Sequence, residues 1–371
     1  MTTELGRLIA RRIALTGPIS IADFMAEALG HPRLGYYRRA LPVGAAGDFT
    51  TAPEISQMFG ELIGAWLAER WIAIGAPSPV RLIELGPGRG TLMADALRAT
   101  RGVPGFHRAL RLHLVDTNAP LHAEQQRTLG AFAPVWHERF DEVPPGPALI
   151  VANEFFDALP VRQFQKTAQG WRERMVGLAP DGEAPDGEAP DGEAPDGKAL
   201  VFALAPGSTP FARYLPDAPE GAQAEIGEAG RTLAAAIGAR LMGDGGWALI
   251  VDYGYDSGAG ASLQAVRGHQ GAGILDRPGE TDLSAHVDFA ALAAATRAPT
   301  FGPIGQGDFL RRLGILQRAA SLEARANEAQ RAAIDAALAR LIDPDQMGNL
   351  FRVLAVGDGR TSLPAGFSEA E

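Results

Sequence analysis

The chain predicts an α/β protein with a mostly parallel sheet, a helical section ahead of it and insertions within it. Three observations carry this. Runs that read as buried strands alternate with helical periodicities along most of the 371 residues. The run beginning at Val80 reaches acidic Glu84, turns through Gly86, Gly88 and Gly90, and reopens as a helix at Thr91. The predicted strands stop on polar residues, Glu84, Asp116, Asn153 and Asp252, where ligands of such sheets lie.

Taken in order, Glu4 to Leu15 carries apolar residues at helical spacing, and Ser20 with Asp23 three residues on opens a helix through Leu29. The stretches from His31 to Tyr37 and from Gly47 to Thr51 are rich in loop residues. Thr51 and Glu54 predict a second capping box, with Pro53 in the first turn where its missing N–H is not needed. Ile55, Phe59, Leu62, Ile63, Trp66 and Leu67 then mark the buried face of a long helix to about Ile74. Residues 1–78 therefore read as a helical section closing a site, and 79–371 as the ligand-binding α/β domain. Within the latter, the sequence predicts strands from Leu110 to Val115, Pro134 to Glu138 and Ala148 to Ala152. A hairpin over Gln163 to Lys166 and Trp171 to Val176, with a repeat behind it, forms an insertion at about 163–205. A helix from Glu225 to Leu241, a strand from Trp247 to Val251, helical additions at about 286–345 and a strand from Phe351 to Val356 complete the reading.

Composition excludes several functions. The absence of cysteine removes disulfides, thiolate nucleophiles and cysteine-based zinc sites. A formal charge of −10 argues against a general nucleic-acid binder, which needs a basic face. The segment from Ala179 to Lys198 is four tandem units of A-P-D-G-E/K, seven acids against one lysine, so the rest of the chain carries only −4. Proline and glycine in every unit forbid a long helix or ladder, which predicts a solvated insertion without a catalytic role. A calcium reading of its carboxylates lacks the ligand spacing of an EF-hand loop. No run of eighteen apolar residues predicts a membrane span, and the first residues lack a secretory pattern, so the expected location is cytoplasmic.

The glycine turn carries the chemistry. Glycine lets a ligand lie against bare backbone, so a strand, a glycine-rich turn and a helix make a nucleotide cradle. Thr91 follows Gly90, so the G-x-G-x-x-G spacing of dinucleotide sites fails, and no lysine is placed for a phosphate loop. Glu84 would aim a carboxylate where a diphosphate would lie, which favours a cationic ligand. The pattern resembles motif I of class I S-adenosylmethionine (SAM) methyltransferases, whose ligand carries a sulfonium and no phosphate.

The other strand ends supply partners. Asp116 is placed to accept from both ribose hydroxyls; it stands far past Gly86, a distance attributed to a loop from Gly102 to Ala109. Phe140 and Asp141 either pack on and hydrogen-bond the adenine or are a core phenylalanine beside a turn aspartate. Glu154 and Asp157, three apart with Phe155 and Phe156 between, either form a desolvated acidic pocket for a guanidinium or are a helix cap and a solvated carboxylate. His286 reads as structural rather than as a base. For Asp282, His286 and Asp288, spacing alone does not make a metal site.

At larger scale the chain resembles the MidA-like SAM-dependent methyltransferases, which include a mitochondrial arginine methyltransferase that assists assembly of respiratory complex I. The matching strings are G-D-F-T-T-A-P-E-I-S-Q-M-F-G-E from Gly47, E-L-G-P-G-R-G-T-L from Glu84, N-E-F-F-D-A-L-P from Asn153, Q-G-W-R-E from Gln169, V-D-Y-G-Y from Val251 and D-L-S-A-H-V-D-F from Asp282. The resemblance implies a class I, Rossmann-like fold that binds SAM through Glu84, Gly86, Pro87, Gly88, Gly90, Asp116 and Asn153. It implies that Asp48, Thr51 and Glu54 help close the site and that the acceptor is a protein arginine, dimethylated symmetrically in a complex I core subunit. A small-molecule methyltransferase and a SAM-binding assembly chaperone remain the alternatives.

Overall fold

The computed structural model describes residues 3–39, 51–180, 199–256 and 260–368. Asp48 and most of the acidic repeat lie outside these. Among the described residues, seven strands line up in one sheet: β1 (Val80–Leu85), β2 (Leu110–Val115), β3 (Val135–His137), β4 (Ala148–Asn153), β5 (Gly246–Tyr255), β6 (Thr300–Gly305) and β7 (Phe351–Gly357). Their spatial order is β3-β2-β1-β4-β5-β7-β6, with an eighth short strand, Val287–Asp288, parallel to the end of β5. Strands β1 to β5 are parallel, while β7 runs antiparallel to both neighbours. The expected fold class is what the chain adopts. The sheet winds outward from β1 toward β2 and from β4 toward β5, so its topological switch point lies at the ends of β1 and β4, where a crevice opens.

Burial on both faces explains the apolar strand runs. Leu82, Leu112, Leu149, Leu249 and Val353 face the helices Gln57–Ala73, Thr91–Ala99 and Glu328–Ile342. Ile83, Leu85, Ile150, Ile250 and Leu354 face Glu228–Asp244 and Phe289–Thr296. The N-terminal helices Glu4–Thr16 and Ile21–Gly30 form a separate core with a second sheet that includes the expected hairpin, Arg162–Thr167 and Gly170–Leu178. The segment 1–78 is thus divided: Glu4–Arg39 packs on the hairpin sheet, and Gln57–Ala73 belongs to the central core. No helix of the described residues is long and apolar enough to cross a membrane.

Local expectations fared unevenly. Ser20 caps Ile21–Gly30, accepting from the Asp23 N–H at 3.0 Å. The second capping box does not form, because Glu54 turns away to accept from Thr91 Oγ1 at 2.5 Å and Thr51 makes no side-chain cap. The chain instead forms a short helix, Ala52–Ile55, breaks at Ser56 and restarts with Ser56 as the cap of Gln57–Ala73. Glu225 lies in a strand, Gln223–Ile226, so its helix begins at Glu228. A short helix, Phe106–Ala109, occupies part of the expected loop before β2.

Two glycines set the distance between the long helix and the glycine-turn helix. A Cβ on Gly60 would meet the Leu92 carbonyl oxygen at 2.9 Å, and one on Gly64 the Ala96 carbonyl oxygen at 2.5 Å. Both backbones therefore lie in direct contact, which fixes the helix that opens after Gly90. We expect Gly64→Ala to destabilise the protein by about 1–3 kcal/mol through overpacking. Gly243→Ala, in a helix where a Cβ meets nothing within 4 Å, should be neutral or stabilising. Urea unfolding of both variants checks the contrast.

Candidate active site

A cavity of about 430 Å³ opens at the switch point. Gly86 and Gly88 form one edge, Val115 to Asn118 and Leu121 a second, and Glu154, Phe155 and Asp157 to Pro160 with Tyr253 and Asp282 a third. Met25, Ala26, Leu29 and Gly30 of the second helix cover it, joined by Tyr37. Five carboxylates, Asp116, Glu138, Glu154, Asp157 and Asp282, line this cavity; no lysine, arginine or histidine does among the described residues. A smaller pocket of about 60 Å³ adjoins it, lined by Thr51, Glu54, Glu84, Gly86, Pro87, Gly88, Asn153 and Glu154 among others.

The glycine turn has the backbone that its sequence demands. Gly86, Gly88 and Gly90 all have positive φ, at 63°, 52° and 83°. A Cβ on Gly86 would also strike the Phe155 ring at 2.7 Å, so the turn and the loop after β4 are packed together. Gly90 contributes differently: it caps the helix Thr91–Ala99 and faces Leu129 rather than either cavity.

Glu84 is 3% exposed, and its Oε2 has no hydrogen-bond partner among the described residues. Burial, helped by the charge of Asp116, pushes its carboxyl up to about 8. Asn153 Oδ1 is likewise buried without a partner. Two unpaired acceptors on one small pocket suit a group that brings N–H donors and positive charge. Asp116 accepts from the Asn118 N–H and from Gln125 Nε2, both at 2.8 Å, while still lining the cavity. Burial raises its carboxyl too.

Glu154 adopts φ 50°, a left-handed conformation costly for a residue with a Cβ, and its N–H donates to the Val251 carbonyl at 2.8 Å. Its Oε1 accepts from the Ala52 N–H at 2.9 Å and from Asn153 Nδ2 at 3.0 Å. Burial pushes its carboxyl up to about 7, with Asp157 adding repulsion. The reading of Glu154 as a helix cap does not hold, since β4 is followed by a turn and the hairpin rather than a helix. Asp157 is not solvated: it lines the cavity, and burial raises its carboxyl, against the lowering effect of the neighbouring Tyr253 hydroxyl.

The loop holding both residues is gathered by Asp252, which is fully buried in β5 just past the residue that pairs with the end of β4. Its Oδ2 accepts from the N–H groups of Phe155, Phe156 and Asp157 at 3.1, 2.9 and 3.3 Å.

Phe140 and Asp141 are not at the cavity. Phe140 is buried in the core under the Arg240 guanidinium, and exposed Asp141 pairs with Arg139 at 2.9 Å. Glu138 reaches the cavity instead. His286 packs edge-on against Tyr253, ring centroids 5.2 Å apart, and burial lowers its pKa. Sequence reasoning did not single out Tyr37, Tyr253 or Asp282 as cavity groups. The strings that contain Tyr253 and Asp282 were visible, but only the fold brings them beside Asp157.

Comparison with known proteins gives the family. Residues 62–304 match the family described as "Putative S-adenosyl-L-methionine-dependent methyltransferase". The chain belongs to this family of SAM-dependent methyltransferases. Relatives include the protein named "Protein arginine methyltransferase NDUFAF7, mitochondrial" from Danio rerio, 36% identical over 94% of this chain and 85% of its own. The Homo sapiens protein of the same name is 34% identical over 95% of this chain and 83% of its own. A Burkholderia thailandensis structure bound to S-adenosyl-homocysteine superposes with a TM-score of 0.83 at 29% identity, covering 99% of this chain and 95% of that one. The enzyme is a SAM-dependent methyltransferase, and SAM is its cofactor. The expected cytoplasmic location is overturned, because these relatives are named as mitochondrial. The expectation rested on the missing secretory pattern, a test blind to mitochondrial addressing.

The raised carboxyls make the stability of the free protein depend on pH. A carboxyl whose folded pKa lies above its unfolded value stabilises the fold fully below the unfolded pKa and loses that contribution as pH rises through the folded one. For Glu84 the window runs from about 4.5 to about 8. We expect Glu84→Gln to raise Tm relative to the parent by an amount that grows as pH increases from 5 to 8, measured without cofactor. A gap independent of pH would contradict the buried, unpaired carboxylate.

Proposed function

We propose that the protein transfers a methyl group from SAM to an arginine side chain of a protein. The observation that supports this most is the cavity wall, with five carboxylates and no cationic side chain among the described residues. Such a wall favours cationic ligands. The relatives named as protein arginine methyltransferases support the same acceptor.

When bound, SAM supplies an electrophilic methyl group on a sulfonium. In this reading Glu84 and Asn153 hold its amino group with their unpaired acceptors. Gly86, Pro87 and Gly88 give it bare backbone, Gly90 opens the helix beneath, and Asp116 takes the ribose hydroxyls. Glu138 stands where Asp141 was expected. The helix Ala52–Ile55 closes the site by tying Glu54 to Thr91 and Ala52 to Glu154, with Thr51 on the walls of both cavities.

Glu154 and Asp157 bind the guanidinium. Ionised, they hold its charge on two nitrogens and leave the third with electron density to attack the methyl carbon. The proton of the attacking nitrogen passes to Glu154, whose carboxyl near 7 suits a base working at neutral pH. The N–C bond forms as the S–C bond breaks. Below about pH 7 Glu154 is protonated and holds the acceptor poorly, so kcat/KM should rise from pH 6 to pH 8. The finer assignment, symmetric dimethylation of an arginine in a respiratory complex I core subunit, rests on the family resemblance.

Glu154→Gln and Asp157→Asn should each lower kcat/KM by about 100-fold or more while S-adenosyl-homocysteine affinity changes only a few-fold. Incubating the enzyme with labelled SAM and lysate should place label on arginines of protein; label confined to small molecules would contradict the protein acceptor. Mass spectrometry of complex I subunits, with and without the protein, tests the finer assignment.

A further inference from the structure

The cavity wall that includes Tyr253 holds a hydroxyl to which the roles assigned so far give no part. The Tyr253 hydroxyl is buried and makes no well-formed hydrogen bond among the described residues. It stands beside Asp157 and Ser284, and its ring lines the cavity. The ring is fixed on two sides, edge-on against His286 at 5.2 Å and against Phe351 at 5.7 Å between centroids. It is therefore a ring fixed on a strand, with its buried hydroxyl close to Asp157 and Ser284.

A phenol can donate one hydrogen bond and accept others. Asp157 lies on one side and can take the proton. The residue lines the cavity whose carboxylate wall fits a cation, and its oxygen lies beside one of those carboxylates, Asp157. Tyr37 offers an instructive contrast: it lines the same cavity, but its hydroxyl donates to Asp282 at 2.9 Å and so has a partner. Burial keeps both phenols protonated, raising each above the ordinary tyrosine value, so neither adds negative charge.

We propose that Tyr253 is an acceptor-binding residue, its hydroxyl donating to Asp157 and accepting an N–H of the bound guanidinium. This rests on the guanidinium reading of the site. The tyrosine orients the acceptor where carboxylates alone could bind it in several ways, because a fork held by Glu154, Asp157 and a fixed neutral oxygen has one orientation.

The test uses the full chain loaded with S-adenosyl-homocysteine and agmatine as a guanidinium probe, followed by calorimetry, for the parent and Tyr253→Phe. A hydrogen bond to a charged group is worth about 1.5–3 kcal/mol. We therefore expect about 10- to 100-fold weaker agmatine binding in Tyr253→Phe, with S-adenosyl-homocysteine affinity and Tm unchanged, which a merely structural role would not give. Tyr37→Phe should weaken agmatine binding less. Equal agmatine binding by parent and Tyr253→Phe would overturn the assignment of Tyr253 alone. No agmatine binding by the parent would overturn the guanidinium reading and this assignment with it. A Tyr253→Phe protein with lowered Tm and weakened cofactor binding would make the residue structural and also overturn the assignment.

Discussion

Buried negative charge with no ion-pair partner among the described residues is the constraint on which this molecule depends. Glu84, Glu154, Asp157 and Asp252 crowd the ends of three adjacent strands, and burial raises the carboxyl of each. A fold does not keep such groups for stability, since isolated carboxylates are expensive to bury and tend to take up protons. Ligands that bring positive charge resolve the conflict. The cofactor of the family that the chain belongs to is SAM, which carries a sulfonium and an ammonium.

The fold delivers these carboxylates through a chain of local requirements. The sheet reverses its winding between β1 and β4, which opens the crevice. Gly60 and Gly64 bring the long helix against the glycine-turn helix, and positive φ at Gly86 lets that turn pack on Phe155. Asp252 gathers three amides of the loop after β4, and the Val251 carbonyl beside it accepts from the N–H of Glu154. The glycine turn and the loop after β4 therefore share contacts and are not independent parts. The helix Ala52–Ile55 closes the circle, reaching Glu154 with one amide and Thr91 with one carboxylate.

Much of this was legible in the sequence where physics is local. The strand ends at Glu84, Asp116, Asn153 and Asp252 were visible because apolar runs stop there and glycine or turn residues follow. The hairpin showed itself by strand pattern around a Gln-Gly turn. Expectations failed where a side chain has two local options and tertiary contact decides. Glu54 fits a capping box as well as it fits Thr91, and only the neighbouring helix makes the second choice. Phe140 and Asp141 follow a strand end, as adenine contacts would, but the core claims one and Arg139 the other. Tyr37, Tyr253 and Asp282 come from three distant segments, and no spacing rule links them. Their meeting at Asp157 depends on the N-terminal helices folding over the sheet.

The most direct test of the central claim counts protons. S-adenosyl-homocysteine binding should be measured by calorimetry at pH 7 in buffers of different ionisation enthalpy, so that heat from proton exchange separates from heat of binding. With Glu84 near 8 in the free protein and facing a cationic group in the complex, about one proton should leave for each ligand bound. Binding that releases no proton, or takes one up, would contradict the account.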